Sequence, residues 1–433
     1  MMKNKILIIF AVIICLLVSL TFYYHMTLYK TITLGIFSGS NWDVPNPYSY
    51  TIIDKAINRF EKENPYIHIE YQSGILKEDY STWLSSLLLK GNEPDLYMVL
   101  SEDFNTFSSL QALENLDPWI KEDHSFSIDK YYSSSLQAGT YHEIQYALPY
   151  ESNPTLMFVN QTLLEKEGIP IPEDDWTIDD FYSICNQVTK DTNNDGIIDQ
   201  FGYYNYTWQN IANAYNVQLF NDNGTNCYFN QENMKEALQY IKKLSSLNRD
   251  KTLSSQDFDQ GHVAFYPLTF SDYRTYKPYP YRVQKYSTFK WKCIAMPRVK
   301  NIDGISENST LLLAMSSRSS TKKEAWEFLK YLTYNEHTQT DLFAYSQGIS
   351  VLKNVTQSQN IISLIEEDSQ DNTVNINTLN KVMEQNVSLS KFKKKDAAIL
   401  RADSLINQAL AQNDDIDTAL NRIQKDIHSY LNE

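Results

Sequence analysis

Apolar residues recur along this chain at two spacings, and the spacings sort the elements. Thr31–Phe37 reads as a buried strand and Ser38–Ser49 as a polar loop. Ile53, Ala56, Ile57 and Phe60 then recur at helical spacing until Asn64-Pro65 stops them. Ile67–Tyr71 alternates like a strand, Tyr80, Trp83, Leu84, Leu87 and Leu88 mark a second helix, and Leu96–Leu100 is another apolar strand. This β-α-β-α-β order predicts a parallel sheet with right-handed crossovers. A break is expected at Tyr146–Tyr150, then a strand at Thr155–Asn160 and a helix to Glu167-Gly168. Asp174–Lys190 opens Asp-Trp-Thr-Ile-Asp-Asp, a good helix start. Further helices are expected at Ile211–Leu219, Asn233–Leu247 and Lys322–Tyr334, with strands at Val263–Tyr266, Lys290–Pro297 and Thr310–Met315. The C-terminus is helical: Ile399, Ala402, Ile406 and Ala409 share one face, and Ile416, Leu420, Ile423, Ile427 and Tyr430 another. Asp414 and Asp415 stand at the positive end of that last helix.

One run breaks both patterns. Lys3 and Lys5 precede Ile6–Tyr24, apolar except for Ser19 and Thr21. A helix needs roughly 17–25 apolar residues to cross a bilayer. Basic residues before the run keep its N-terminus inside and put the rest of the chain outside. A cleaved signal would end in small residues of the Ala-x-Ala kind, but this run ends Leu20-Thr21-Phe22-Tyr23-Tyr24. Cys15 lies mid-run behind bulky Ile14, which does not suit a lipid-anchored cysteine. The expectation is an uncleaved membrane anchor over residues 1–30, with the folded part on the extracellular face.

The roughly 400 residues beyond it exceed one ordinary core, so two domains are expected. Formal net charge is −15, which leaves no basic stripe to neutralise phosphates and argues against nucleic acid. Lys391, Lys393, Lys394 and Lys395 form the one short basic run, read as a solvated helix end. Cys185, Cys227 and Cys293 have no metal-type spacing. They read as buried free thiols, with Cys227–Cys293 the least implausible pair for a disulfide.

Ligands of an open parallel sheet bind beyond the carboxyl ends of its strands. Two such ends are Ser38-Gly39-Ser40-Asn41-Trp42-Asp43 and Ser101-Glu102-Asp103-Phe104-Asn105. An indole beside carboxylates and amides suits a sugar: the ring packs on CH groups and the acceptors take hydroxyls. The opposing reading makes Trp42 an edge cap and the acids helix caps. Tyr150-Glu151, Trp208 and Tyr266 are similar candidates, each weighed against core packing. Asp191, Asn193, Asp195 and Asp199, with Gly196 at the sixth position and the Ile197 carbonyl, match the start of a calcium loop. The twelfth position is Gly202, so the bidentate carboxylate is missing; the alternative is a turn held by side chain–backbone bonds. No cofactor is required, and a structural calcium ion is the one addition weighed. No nucleophile elbow, zinc-protease motif or phosphate loop occurs.

Several stretches together resemble the extracellular solute-binding proteins of bacterial ABC importers, in the carbohydrate-binding group that includes maltose-binding protein. Lys55–Tyr71 resembles that family's first helix and second strand, and Glu93-Pro-Asp-Leu-Tyr-Met-Val its third strand. Ala147-Leu-Pro-Tyr-Glu, Met157-Phe-Val-Asn and Leu163–Pro172 are similar to its first crossover and the start of its second lobe. Trp176-Thr-Ile-Asp-Asp-Phe, Phe258–Phe265 and Lys322–Leu332 resemble later elements in the right order. The resemblance implies an α/β, two-lobed periplasmic-binding-protein-like fold with a ligand cleft between the lobes, preceded by the N-terminal transmembrane helix. The expected division is 31–148 with 267–314 in one lobe, and 149–266 with 315–433 in the other. Carried over, the cleft residues would be Asn41, Trp42, Asp103, Tyr150, Glu151, Trp208 and Tyr266. The implied function is capture of a sugar or oligosaccharide by a monomer that delivers it to a membrane permease. The lack of a lipid-anchor cysteine pattern departs from the family and leaves a sensing partner as an alternative to the permease. A glycan-cleaving enzyme with two carboxylates is a rival from another class.

Overall fold

The computed structural model describes residues 29–42, 44, 46–249, 251–275, 289–302, 307–367, 373–384 and 390–433. The expected membrane helix, Ile6–Tyr24, lies outside them. Among the described residues no helix is long and apolar enough to cross a membrane.

The N-terminal alternation builds what it predicts. In chain order come β1 (Lys30–Gly35), α1 (Ser49–Glu63), β2 (Ile67–Tyr71), α2 (Lys77–Lys90), β3 (Leu96–Val99), α3 (Ser101–Ser109), α4 (Asp117–Glu122) and α5 (Ser133–Ala138). β1 pairs in parallel with β2 and β3. Buried Ile52, Ile53, Ala56, Ile57 and Phe60 form one face of α1, as their spacing requires.

The expected break at Tyr146–Tyr150 is instead continuous strand: β4 runs over Ala147–Asn160. Proline cannot donate within a ladder, and this strand accommodates two. Here Pro149 falls at a bulge, where pairing with the strand Asn308–Met315 shifts register between Leu311 and Leu312. Pro154 sits where β4 leaves one sheet and enters the next. Beyond it lie α6 (Ile178–Val188), β5 (Phe201–Tyr203), α7 (Trp208–Ala214), α8 (Glu232–Ser245), β6 (Val263–Thr269), β7 (Trp291–Ile294), β8 (Asn308–Met315), α9 (Lys322–Thr333), α10 (Glu336–Tyr345), β9 (Thr373–Val374), α11 (Lys395–Ala411) and α12 (Ile416–Asn432). Helix starts follow the sequence: Thr177 and Asp180 close a capping box on α6, and Asp415 accepts from Thr418 N at 2.9 Å to cap α12.

β4 belongs to both lobes. Its first half pairs antiparallel with β8, which pairs with β3. Its second half pairs antiparallel with β6 and β7. Side chains alternate across a strand, so Leu156 and Phe158 enter one core while Met157 and Val159 enter another. The first core takes β1–β3, β8, α1, α9 and α10, and the second takes α6–α8, α11 and α12. The expected division kept 315–433 together; the packing splits it, with 322–345 on the first core and 395–432 on the second. The reason is that α9 is amphipathic toward β8 and β1, and no period in the sequence names the partner of an apolar face. Cys185, Cys227 and Cys293 are all buried.

Asp123 staples α4 to α9. It accepts from Trp326 Nε1 at 3.0 Å, Ser125 N at 2.9 Å, Ser125 Oγ and Lys330 Nζ. Burial pushes its carboxyl up, but these donors outweigh burial and hold it below the usual range. A depressed folded pKa gives stability that is present above the ordinary carboxylate range and lost as pH falls through the folded value. Asp123→Asn is expected to remove that acid-side loss, so the difference between wild type and variant narrows as pH drops. Urea midpoints measured from pH 7 down to 3 test this, and a constant difference would refute it.

Candidate functional site

Three adjoining spaces separate the two cores. The inner cavity, about 220 Å³, is lined by Ser101, Glu102, Phe104 and Asn105 of α3, by Ser134 and Ala138 of α5, by Asn308–Thr310 of β8, and by Lys391, Phe392, Lys395 and Asp396. A second space of about 200 Å³ shares Glu307, Lys395 and Asp396 with it and extends along Gln209, Ala212 and Asn213 of α7. A third, more open, of about 450 Å³, shares Lys391 and is walled by Thr140–Glu143 and Asp222. The cleft thus draws one wall from the first lobe, one from the second, and its floor from the strand Asn308–Met315.

Its polar groups are arranged for a ligand that donates hydrogen bonds. Among the described residues, Asn105 Oδ1, Asn308 Oδ1 and Gln209 Oε1 are buried and find no hydrogen-bond partner. Asn105 and Asn308 are only 7% and 6% exposed. Asn308 spends its amide N–H on Ser134 Oγ at 3.2 Å, and Gln209 spends its own on Asp403 at 3.2 Å, which leaves the oxygens facing the cleft. An unmade hydrogen bond at a buried acceptor costs about 1–3 kcal/mol, so each oxygen favours a donor from outside the chain. Glu102, Glu307 and Asp396 add carboxylates, and Lys391 and Lys395 add amines. Burial first, then the neighbouring Lys395, pushes the Lys391 amine down to about 7. Phe392, partly buried and packed edge-on against Phe220 at 5.1 Å, offers the cleft an aromatic face.

The expected site residues divide. Asn41, Tyr150 and Glu151 do come together, with Trp42 beside Glu151, but around a narrow space of about 30 Å³ beneath α1 rather than in the three cleft spaces. The Trp42 indole N–H faces the Glu151 carboxylate without closing a hydrogen bond of normal geometry. Asp103 turns away from the cleft and accepts from Ser81 Oγ at 2.8 Å; burial raises its carboxyl. Trp208 is a core residue of the second lobe, its indole donating to Asp403 at 2.8 Å. Tyr266 packs edge-on against Tyr204 at 4.7 Å and Phe258 at 5.4 Å. None of these three lines any of the three cleft spaces.

The residues missed are Asn105, Asn308, Gln209, Lys391, Lys395 and Phe392. Two signals pointed to them. Asn105 follows Ser101 by four positions, so both share one helical face, while Asp103 lies on another. Phe392 interrupts the lysine run read as solvated; a ring inside such a run marks a buried side. Only Lys393 of the four is exposed; Lys394 donates to the Tyr430 carbonyl at 3.0 Å.

In the 191–199 loop Asp191 accepts from Asn194 N and Gly196 N at 2.7 Å each, Asp195 accepts from Ile197 N at 2.8 Å, and Asp199 accepts from Thr192 N at 2.8 Å. Gly196 takes φ +89°, which the turn requires. Among the described residues no group of three or more His, Cys, Asp or Glu side chains is placed to hold a metal ion. These side chain–backbone bonds are the ones the turn reading expects.

A family model for bacterial extracellular solute-binding proteins matches residues 45–339. The multiple sugar-binding protein of Streptococcus mutans serotype c is 24% identical over 300 residues, covering 65% of this chain and 67% of that protein. The sugar-binding protein MalE from Xanthomonas citri superimposes with a TM-score of 0.76 at 14% identity, covering 93% of this chain and 97% of that one. A cyclic alpha-maltosyl-1,6-maltose binding protein from Arthrobacter globiformis gives a TM-score of 0.76 at 16% identity, covering 93% and 99%. With two lobes, a shared crossing strand and a match over most of its length, the chain belongs to the bacterial extracellular solute-binding protein family.

Proposed function

We propose that this protein is the extracellular substrate-binding component of an ABC importer, taking a sugar or oligosaccharide between its lobes and delivering it to the permease. The observation that carries the substrate class is the set of amide oxygens at Asn105, Asn308 and Gln209 that find no partner among the described residues, one from each wall and one from the floor. Sugar hydroxyls are the donors such acceptors lack. The three adjoining spaces support a ligand longer than one ring. The sugar ligands named for the similar proteins above support the same class. Hinge motion about the crossing strand admits the ligand, and its contacts with both walls favour the closed form. Ile6–Tyr24 is proposed as the anchor that keeps the protein at the membrane, on the extracellular face and beside its permease.

A thermal-shift screen of the full chain in detergent, over mono- and oligosaccharides with amino acids, peptides and polyamines as competitors, tests the reading. A ligand that binds only the folded form raises Tm by mass action. Asn105→Leu is expected to weaken the selected sugar about tenfold or more, with the unliganded Tm little changed. Silence across the sugars overturns the substrate class, and wild-type affinity in Asn105→Leu overturns the site. Product analysis after long incubation separates binding from glycan cleavage, since Glu102, Glu307 and Asp396 are the carboxylates a hydrolase would use there.

A further inference from the structure

One side chain ties the two walls of the cleft together. The segment Ser390–Phe392 belongs to the second lobe: Ser390 Oγ donates to the Phe220 carbonyl at 2.9 Å, and the Phe392 ring packs against the Phe220 ring. From it the Lys391 side chain crosses to the first lobe. Its Nζ donates to the Ala138 carbonyl at 2.8 Å, the Thr140 carbonyl at 3.0 Å, and the Gln137 carbonyl. Those carbonyls lie at and just beyond the C-terminal end of α5, which packs on β8 and β4. The amine also stands 5.3 Å from the centre of the Phe104 ring, another first-lobe residue. Lys391 therefore spends all three donors of an ammonium group on one lobe while its backbone is fixed to the other.

We infer that Lys391 is a clasp across the cleft, a positioning residue that holds the lobes together before any ligand is bound and that must let go for ligand to enter or leave. Its place in the cleft supports this. Among the described residues it is the only one common to the inner cavity and the open outer space, so it stands as the bar between them. An amine withdrawn from water and bonded only to carbonyls is held by geometry that exists solely when the walls are close. Opening the hinge breaks all three bonds at once, and rehydration of the amine compensates for them. The open state then stays a minor but accessible population, which is what a capture device needs. The clasp bears on the proposed sugar capture through access to its cavity, but its test needs no sugar.

The measurement is the distance between the lobes in unliganded full-length protein, by pulsed electron spin resonance. Leu89 is 89% exposed on the first lobe and Leu400 is 71% exposed on the second. Leu89→Cys and Leu400→Cys accept spin labels in a Cys15→Ser background, because Cys185, Cys227 and Cys293 are buried. The clasped protein is expected to give one narrow distance distribution. Lys391→Met, which keeps the stem and loses the donors, shifts it longer and broadens it, and Lys391→Arg restores part of the short population. A Lys391→Met distribution superimposable on that of the parent overturns the clasp. If the Met variant does not fold, Lys391→Gln is measured in its place under the same criterion. Failure of the sugar screen with a positive Lys391→Met shift removes the substrate class and leaves the clasp standing.

Discussion

Trp208→Ala is expected to destabilise the second lobe by about 3–5 kcal/mol, the range for removing a buried Trp or Phe side chain. The indole is 2% exposed and opens α7, where Thr207 and Asn210 close a capping box. Its Nε1–H reaches Asp403 on α11, and the adjoining Gln209 reaches the same carboxylate. Truncation removes the ring that joins these two helices and leaves Asp403 with one donor fewer. Because native domains hold only about 5–15 kcal/mol in total, this loss is visible as a large fall in the urea midpoint. Sugar affinity measured below the transition should change far less, since the ring lines none of the three cleft spaces. Trp208→Phe restores most of the packing without the hydrogen bond and should fall between. A variant with the parent's midpoint and strongly weakened sugar binding would return Trp208 to the ligand.

Asp103 and Asn105 show what was legible and what was not. The strand end that carries them follows from periodicity, because Leu96–Val99 is buried on both faces and α3 begins directly after it. Charge drew attention to Asp103, yet a turn of helix decides direction: Asp103 meets Ser81 behind it, and Asn105 meets the cleft. The opposite wall is harder to read. Ser390–Asp396 reaches α3 and α5 across more than 250 positions of chain, and no local pattern specifies such a partner. The tryptophans drew attention for a physical reason that does not separate core from site. A large ring stabilises by burial wherever it sits, so aromatic richness measures core as readily as binding surface. Trp208 and Tyr266 are both core in this fold, and the rings that line the cleft spaces are Phe104, Phe392, Tyr141 and Phe220.

Glu151→Ala should cost about 3–5 kcal/mol, as when one partner of a buried charged cluster is removed. The side chain sits on β4, the strand that both lobes share, and is 4% exposed. Its carboxylate accepts from Gly348 N at 2.6 Å and from Ser346 Oγ, with the Trp42 indole and the Arg274 guanidinium nearby. A Cβ on Gly348 would meet Glu151 Oε1 at 2.5 Å, so the backbone closes on the carboxylate only because that residue is glycine. Alanine at 151 leaves these donors facing a void. Glutamine keeps an acceptor and removes the charge, which separates the two contributions. Burial raises the Glu151 carboxyl above its ordinary range, and the donors and Arg274 oppose that without overcoming it. With a raised folded value, the group's contribution is fully present at low pH and is lost as pH rises through it. Glu151→Gln should therefore gain on wild type as pH rises from below the ordinary carboxylate range, while Glu151→Ala stays destabilised at every pH. Urea midpoints of the three proteins between pH 4 and 8 decide it. A Gln variant that loses ground with rising pH would mean that the ionised carboxylate is the favoured form, held by Arg274 rather than tolerated beside it.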